Sequence, residues 1–182
     1  ASLELLAAEL KRLSTTVRGA RFGQQHYTSP RTPAPDPASA LHRHWESSMP
    51  LATEDHLAIH ELIARYCFAI DHGEPEAYAA CFTEDGELYA DGRLRGKGRA
   101  ALAANIVKAN QQGLHRRHWP CNALIEGDGN AARLRLYVMT FDIDKSLAPY
   151  LIGEYDDRLV KVNGQWLFQC RRVDLCAGKL AV

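Results

Sequence analysis

The sequence predicts an α+β domain, three helices followed by a run of long antiparallel strands. Two changes of pattern carry that prediction. From residue 53 to about 112, apolar residues recur at helical spacing; beyond residue 114 they alternate with polar ones, as they do along strands. Turn signals then divide the alternating region into pairs, with "GDGN" at 127–130 and Asn163-Gly164 between runs of β-type residues. Long sheets of this kind, curved around helices, commonly leave an apolar pocket between the layers.

The elements follow in order. Residues 2–13 have apolar spacing suited to a short amphipathic helix. Pro30, Pro33, Pro35 and Pro37 then forbid helix or central strand, so residues 1–50 read as an extended arm and 51–178 as the domain. Met49 directly precedes the first well-patterned segment, which makes it a candidate start with residues 1–48 as an extension. Thr53 is a suitable N-cap, with Glu54 and Asp55 in the first turn, where the helix dipole favours acids. Ile59, Leu62, Ile63, Tyr66 and Ile70 form one face of that helix, which ends near Asp71 and Gly73. Pro75 opens a second, short helix, and "TEDGELYADGRLRG" reads as a small hairpin turning at Gly92. A third helix spans 99–112 on Leu102, Ala103, Ile106 and Val107 and stops at Gly113. Strands are expected over 115–126, 131–144, 150–162 and 165–175.

The totals narrow the function classes. With 22 basic and 22 acidic residues in 182, net charge is zero, which removes the electrostatic reason to expect nucleic acid or an anionic membrane as partner. No apolar run approaches a transmembrane length. Five cysteines without a C-x-x-C pair read as reduced thiols, and the chain is expected to be cytoplasmic. Neither His42-x-His44 nor His56-x-x-x-His60 gains the Cys or carboxylate that would complete a metal set, so no metal is expected. A phosphate loop, a nucleophile elbow and a dinucleotide fingerprint are all missing, which leaves acid–base chemistry without a cofactor.

Three places could supply it. In the strand from 131, the parity Leu134, Leu136, Val138, Thr140 faces the core and Asp142 continues that row. Either Asp142 points inward, or the strand frays there into a solvated turn with Asp144 and Lys145. Asp71 closes the first helix, and Tyr66, five residues earlier, lies about 140° away around an ideal helix. Both can line one pocket only if it wraps the helix end. In "GLHRRHWPCN", His118 shares parity with Arg116 and Asn122, while His115 shares it with Arg117, Trp119 and Cys121. One histidine therefore faces in and the other out, unless a bulge near Pro120 shifts the parity.

The stretches "HLAIHELIARYCFAIDHGEPEAYAACFTEDGELY", "LRGKGRAALAANI", "HRRHWPCNALIEGDGNAARLRLYVMTF" and "YDDRLVKVNGQWLFQCRRV" together resemble the SnoaL-like branch of the nuclear-transport-factor-2-like superfamily. The resemblance covers about residues 53–175. It implies a cone, a strongly bent, mostly antiparallel sheet wrapped around helices, with a deep apolar pocket at its wide end. Relatives of this type include scytalone dehydratase, bile-acid 7α-dehydratase, ketosteroid isomerase and polyketide cyclases. Tyr66, Asp71 and His118 resemble the Tyr, Asp and His of the dehydratase-type sites, which makes His118 the inward histidine and these three the expected catalytic residues. Asp142 falls where the bile-acid dehydratases place another acid; Asp142, Asn122 and Arg116 are then expected to orient substrate or relay the proton. Phe141 and Ile143 occupy the neighbourhood of scytalone dehydratase's second histidine, which argues against scytalone as substrate.

The resemblance thus implies a cofactor-free dehydratase or isomerase for a hydrophobic cyclic carbonyl compound such as a polyketide or steroid, in a homo-oligomer. Dehydration, double-bond shift and ring closure all remain open. A different class also stays open: a non-catalytic cone that binds a ligand or stabilises a large partner, like the small subunit of a ring-hydroxylating dioxygenase. That role needs a large partner surface and no functional dyad.

Overall fold

A computed structural model describes residues 51–178 apart from 114, 146 and 147. The expected helix over 2–13 and the proline-rich arm lie outside the described residues. Helices α1 (Thr53–Asp71), α2 (Pro75–Ala80) and α3 (Arg99–Asn110) accompany strands β1 (Phe82–Ala90), β2 (Arg93–Lys97), β3 (Arg116–Asp128), β4 (Ala131–Asp142), β5 (Leu151–Val162) and β6 (Gln165–Gly178). The strands form a single six-stranded sheet in the order β2-β1-β6-β5-β4-β3. All pairings are antiparallel except β1 with β6, where the last strand inserts beside the first hairpin. This is a bent, mostly antiparallel sheet with helices packed on it, the α+β arrangement that the resemblance implies. No helix among the described residues is long and apolar enough to cross a membrane.

Local chemistry explains the turns. Asp91-Gly92 and Asn163-Gly164 both adopt positive φ, the backbone that two-residue hairpins demand and that Asn, Asp and Gly tolerate best. Pro75 sits in the first turn of α2, where its missing N–H costs nothing. Register shifts interrupt β1/β2, β1/β6, β3/β4 and β5/β6, and each extra residue bends the sheet around the helices.

The core lies between α1 and the concave face. Leu134, Leu136, Val138 and Thr140 are buried, as alternation along β4 requires, against Ile59, Leu62 and Tyr66 of α1. Two expectations need correction. Val107 is exposed, because α3 presents only Leu102 and Ile106 fully to the core. Thr53 is the first residue of α1 and makes no cap; Ala52 takes the cap position, with its carbonyl accepting from the N–H groups of Asp55 and His56.

Asp55 also has a task that alternation and dipole arguments did not suggest. Its buried Oδ1 accepts Trp166 Nε1 at 2.9 Å and Lys161 Nζ at 2.5 Å, tying the start of α1 to the β5–β6 hairpin. The Lys161 bond first, then the Trp166 bond, hold its carboxyl below the ordinary range. A depressed folded value contributes stability that is complete above the unfolded carboxylate range, about pH 4, and fades as pH falls through the folded value. Asp55→Ala should therefore cost about 1–3 kcal/mol near neutral pH, the range for a buried charge-assisted pairing. In urea titrations at about pH 7 and about pH 3, the gap between wild type and variant should narrow on acidification.

Candidate active site

Asp71 is the last residue of α1, where the helix dipole disfavours a carboxylate and leaves it seeking donors. The chain then turns through Gly73 at φ +68°, and Asn110 at the end of α3 donates to the Gly73 carbonyl at 2.8 Å. This clasp sets Asp71 against β3. Because β3 is an edge strand, an outward N–H has no ladder partner, and that of His118 donates to Asp71 Oδ2 at 2.9 Å. The other carboxylate oxygen meets His118 Nδ1 at 2.5 Å. Both side chains are almost sealed from solvent, at 8% exposure for His118 and 7% for Asp71. His115 is the outward histidine, paired with Asp144 at 2.7 Å on the surface.

His118 lines a half-open cavity of about 350 Å³ between α1, α3 and the sheet. This is within the usual range for small-molecule sites. Ile70, Leu88, Ile106, Leu151 and Val173 supply its apolar walls, and the exposed Leu94, Lys108 and Gln112 mark its mouth. With Nδ1 committed to Asp71, Nε2 is the ring nitrogen left for chemistry.

Tyr66, Tyr78 and Tyr155 are buried and also line this cavity. Burial pushes the Tyr66 phenol above its ordinary value, against the opposing charge of Arg171, so the group is a proton-bearing donor at neutral pH. Burial acts the same way on Tyr78 and Tyr155, which lie well above theirs. Tyr66 and Asp71 do not share the cavity surface. The helix end separates them, and Asp71 reaches the cavity only through His118.

The remaining expected residues divide. Arg116 lines the cavity. Asn122 does not: it is exposed, with φ +56°, in the bulge between Cys121 and Leu124 that breaks the parity carried from His118. Asp142 is buried and ends β4, two residues short of the expected limit, but it lies outside the cavity lining and accepts Lys145 Nζ at 2.7 Å. The Lys145 bond holds its carboxyl below the ordinary range. Cysteine nucleophiles have no support: the five thiols are unpaired, and burial pushes Cys67 up to about 12.

Beneath the tyrosines lies a pair that alternation did not expose. Arg171 Nε and Nη2 meet Asp157 Oδ1 and Oδ2 at 2.9 and 2.6 Å, with both side chains at 0% exposure. The guanidinium carbon sits 4.0 Å from the Tyr66 ring centroid, 4.2 Å from Tyr155 and 4.0 Å from Phe168. Arg171 escaped notice because Gln169 is an extra residue in β6: Phe168 faces Leu159, but Cys170 faces Arg158. The inward parity therefore passes from Trp166 and Phe168 to Arg171 and Val173.

A curved α+β sheet around helices, with a half-open cavity reached by a polar dyad, defines the class as the small-molecule-binding nuclear-transport-factor-2-like proteins. Within it the chain belongs to the SnoaL-like domain family, which matches residues 52–172. Solved structures agree. A Nostoc punctiforme protein of unknown function with a cystatin-like fold is 28% identical at TM-score 0.63, covering 70% of this chain and 95% of its own. A variant of a Mycobacterium tuberculosis protein of unknown function is 33% identical at TM-score 0.63, covering 71% and 80%. A Novosphingobium aromaticivorans protein with the provisional name scytalone dehydratase is 26% identical at TM-score 0.59, covering 70% and 94%. A comparison with curated proteins returned no match.

Removing one partner of the Arg171–Asp157 pair strands a buried charge. Arg171→Met or Asp157→Leu should destabilise the domain by about 3–5 kcal/mol, and the double variant Arg171→Met/Asp157→Leu by less than the sum. Equilibrium urea unfolding in a double-mutant cycle measures this.

Proposed function

We propose that this protein is a cofactor-independent dehydratase or isomerase for a hydrophobic cyclic carbonyl compound. The observation that carries the reading is the His118–Asp71 pair opening onto an apolar cavity that Tyr66 also lines. The provisional dehydratase name of the Novosphingobium neighbour lends support from outside the site.

The chemistry follows from the groups present. His118 Nε2 takes a proton from the carbon next to the substrate carbonyl, and Asp71 stabilises the imidazolium that forms. Electrons from the broken C–H bond pass onto the carbonyl oxygen, where the Tyr66 hydroxyl donates to the growing negative charge. The imidazolium then returns that proton to a β-hydroxyl as the electron pair comes back from oxygen. The C–O bond breaks, water leaves and a conjugated double bond remains. In a substrate without a β-hydroxyl, the same proton goes to a more distant carbon and the double bond shifts. Apolar walls beside His118 and Tyr66 lower the local polarity, which strengthens both hydrogen bonds during the transfer.

Proton abstraction can be tested without knowing the natural substrate. In D₂O, wild-type protein should speed exchange of the protons next to the carbonyl of 2-tetralone, followed by NMR. His118→Ala should slow that exchange by about 10²- to 10⁴-fold, the usual worth of a positioned acid–base group. Asp71→Asn should cost a comparable amount and the double variant little more, because the two act as a unit. Tyr66→Phe should cost less, removing one donor while keeping the ring. Exchange that is equally fast in wild type and His118→Ala would defeat the proposal.

A further inference from the structure

The cavity that serves the proposed reaction carries an unbalanced set of charges. Arg95 of β2, Lys108 of α3 and Arg116 of β3 all line it, from three separate elements. Among the described residues, no aspartate or glutamate lines it. The carboxylates at hand are engaged: Asp71 by His118, and Asp142, opposite Arg116 across the β3–β4 ladder, by Lys145. None of the ion pairs among the described residues includes Arg95, Lys108 or Arg116. The Nε of Arg95 is moreover buried without a hydrogen-bond acceptor among the described residues. A buried donor of this kind is costly unless a ligand atom or an ordered water satisfies it.

The placement is asymmetric. Lys108 is exposed and Arg95 and Arg116 are half-buried, whereas the buried Tyr66, Tyr78 and Tyr155 form the other part of the lining. A ligand filling this space meets rings and aliphatic walls inside and cations toward the mouth. Two guanidinium forks and one ammonium suit an oxyanion, which accepts paired N–H bonds from arginine.

We propose that the substrate is an amphipathic anion: a ring system carrying a carboxylate or phosphate group that Arg95, Lys108 and Arg116 hold while the rings occupy the apolar part. This rests on the proposed function for the reaction at the rings, but the anion site itself is independent of the dyad. Recognition of a charged end fixes which ring carbon faces His118, since Arg95, Lys108 and Arg116 are the lysine and arginine side chains among the described lining residues.

The test uses three probes with one ring system: 2-naphthoate, 2-naphthyl phosphate and the neutral 2-naphthamide, titrated calorimetrically into the wild-type chain. At least one anion should bind about tenfold or more tightly than the amide, the worth of one charge-assisted hydrogen bond. The tighter of the two anions identifies the group. That preference should shrink as salt rises from about 0.05 to about 0.5 M, while amide binding stays level. Arg95→Gln, Lys108→Gln and Arg116→Gln should each weaken the preferred anion by about threefold or more and leave the amide unchanged; the salt series on wild type decides the matter if a variant fails to fold. His118→Ala should keep the anion preference. Equal binding of amide and anions, or a preference indifferent to salt, would overturn the anion site whatever the exchange assay shows. Conversely, an intact anion preference beside unaltered exchange in His118→Ala would sink the reaction and spare the site.

Discussion

The buried Arg171–Asp157 pair is the constraint around which the interior is arranged. Taking two ions out of water costs several kcal/mol each, and their attraction repays this only when geometry and surroundings are favourable. Here the two bonds are parallel and bidentate, and three aromatic rings stand within about 4 Å of the guanidinium carbon. One donor, Nη1, still has no partner among the described residues. The pair also reaches the cavity without touching it. Arg171 sits against Tyr66 and Tyr155, so its charge is felt by phenols that do face the ligand space, and it opposes the rise that burial imposes on the Tyr66 proton.

Curvature does the rest of the positioning. A flat sheet would keep β3 away from the end of α1, but bulges in four of the five ladders bend the sheet around the helices. Gly86 shows how tight that bend is. An added Cβ there would lie 2.8 Å from Phe82 Cβ and 3.2 Å from the Phe168 carbonyl oxygen, so only glycine lets β1 pass this close to β6. The edge position of β3 then becomes useful: its unpaired N–H and the imidazole of one residue, His118, together satisfy both oxygens of Asp71. A helix end and a sheet edge each supply what the other lacks.

Charged groups of the core and of the cavity lining fall into two kinds. Asp55, Asp71 and Asp157 have their charge or lone pairs answered inside the protein, by Lys161 and Trp166, by His118, and by Arg171. Among the described residues, Arg95, Lys108 and Arg116 have no such answering carboxylate. Satisfied groups hold the cone together, and the unanswered cations are the ones that face the ligand space.

Much was legible in the sequence itself, for a local reason. Helical spacing from Ile59 to Ile70, alternation from Leu134 to Thr140, and the Asp-Gly and Asn-Gly turns each depend on a few neighbouring residues, and they determined element type, element order and the α+β class. Strand parity narrowed the two histidines to one inward and one outward, and the family resemblance selected His118. What the tertiary structure alone decided are the matters that depend on counting across a bulge or on contacts between distant elements. The extra residue at Gln169 turned Arg171 inward, and the bulge after Cys121 turned Asn122 out. Asp55 meets its partners more than a hundred residues away, and Arg95, Lys108 and Arg116 converge from three elements with no shared motif. Alternation has a period of two, so one inserted residue reverses every inference beyond it. Only the folded sheet reveals where that residue sits.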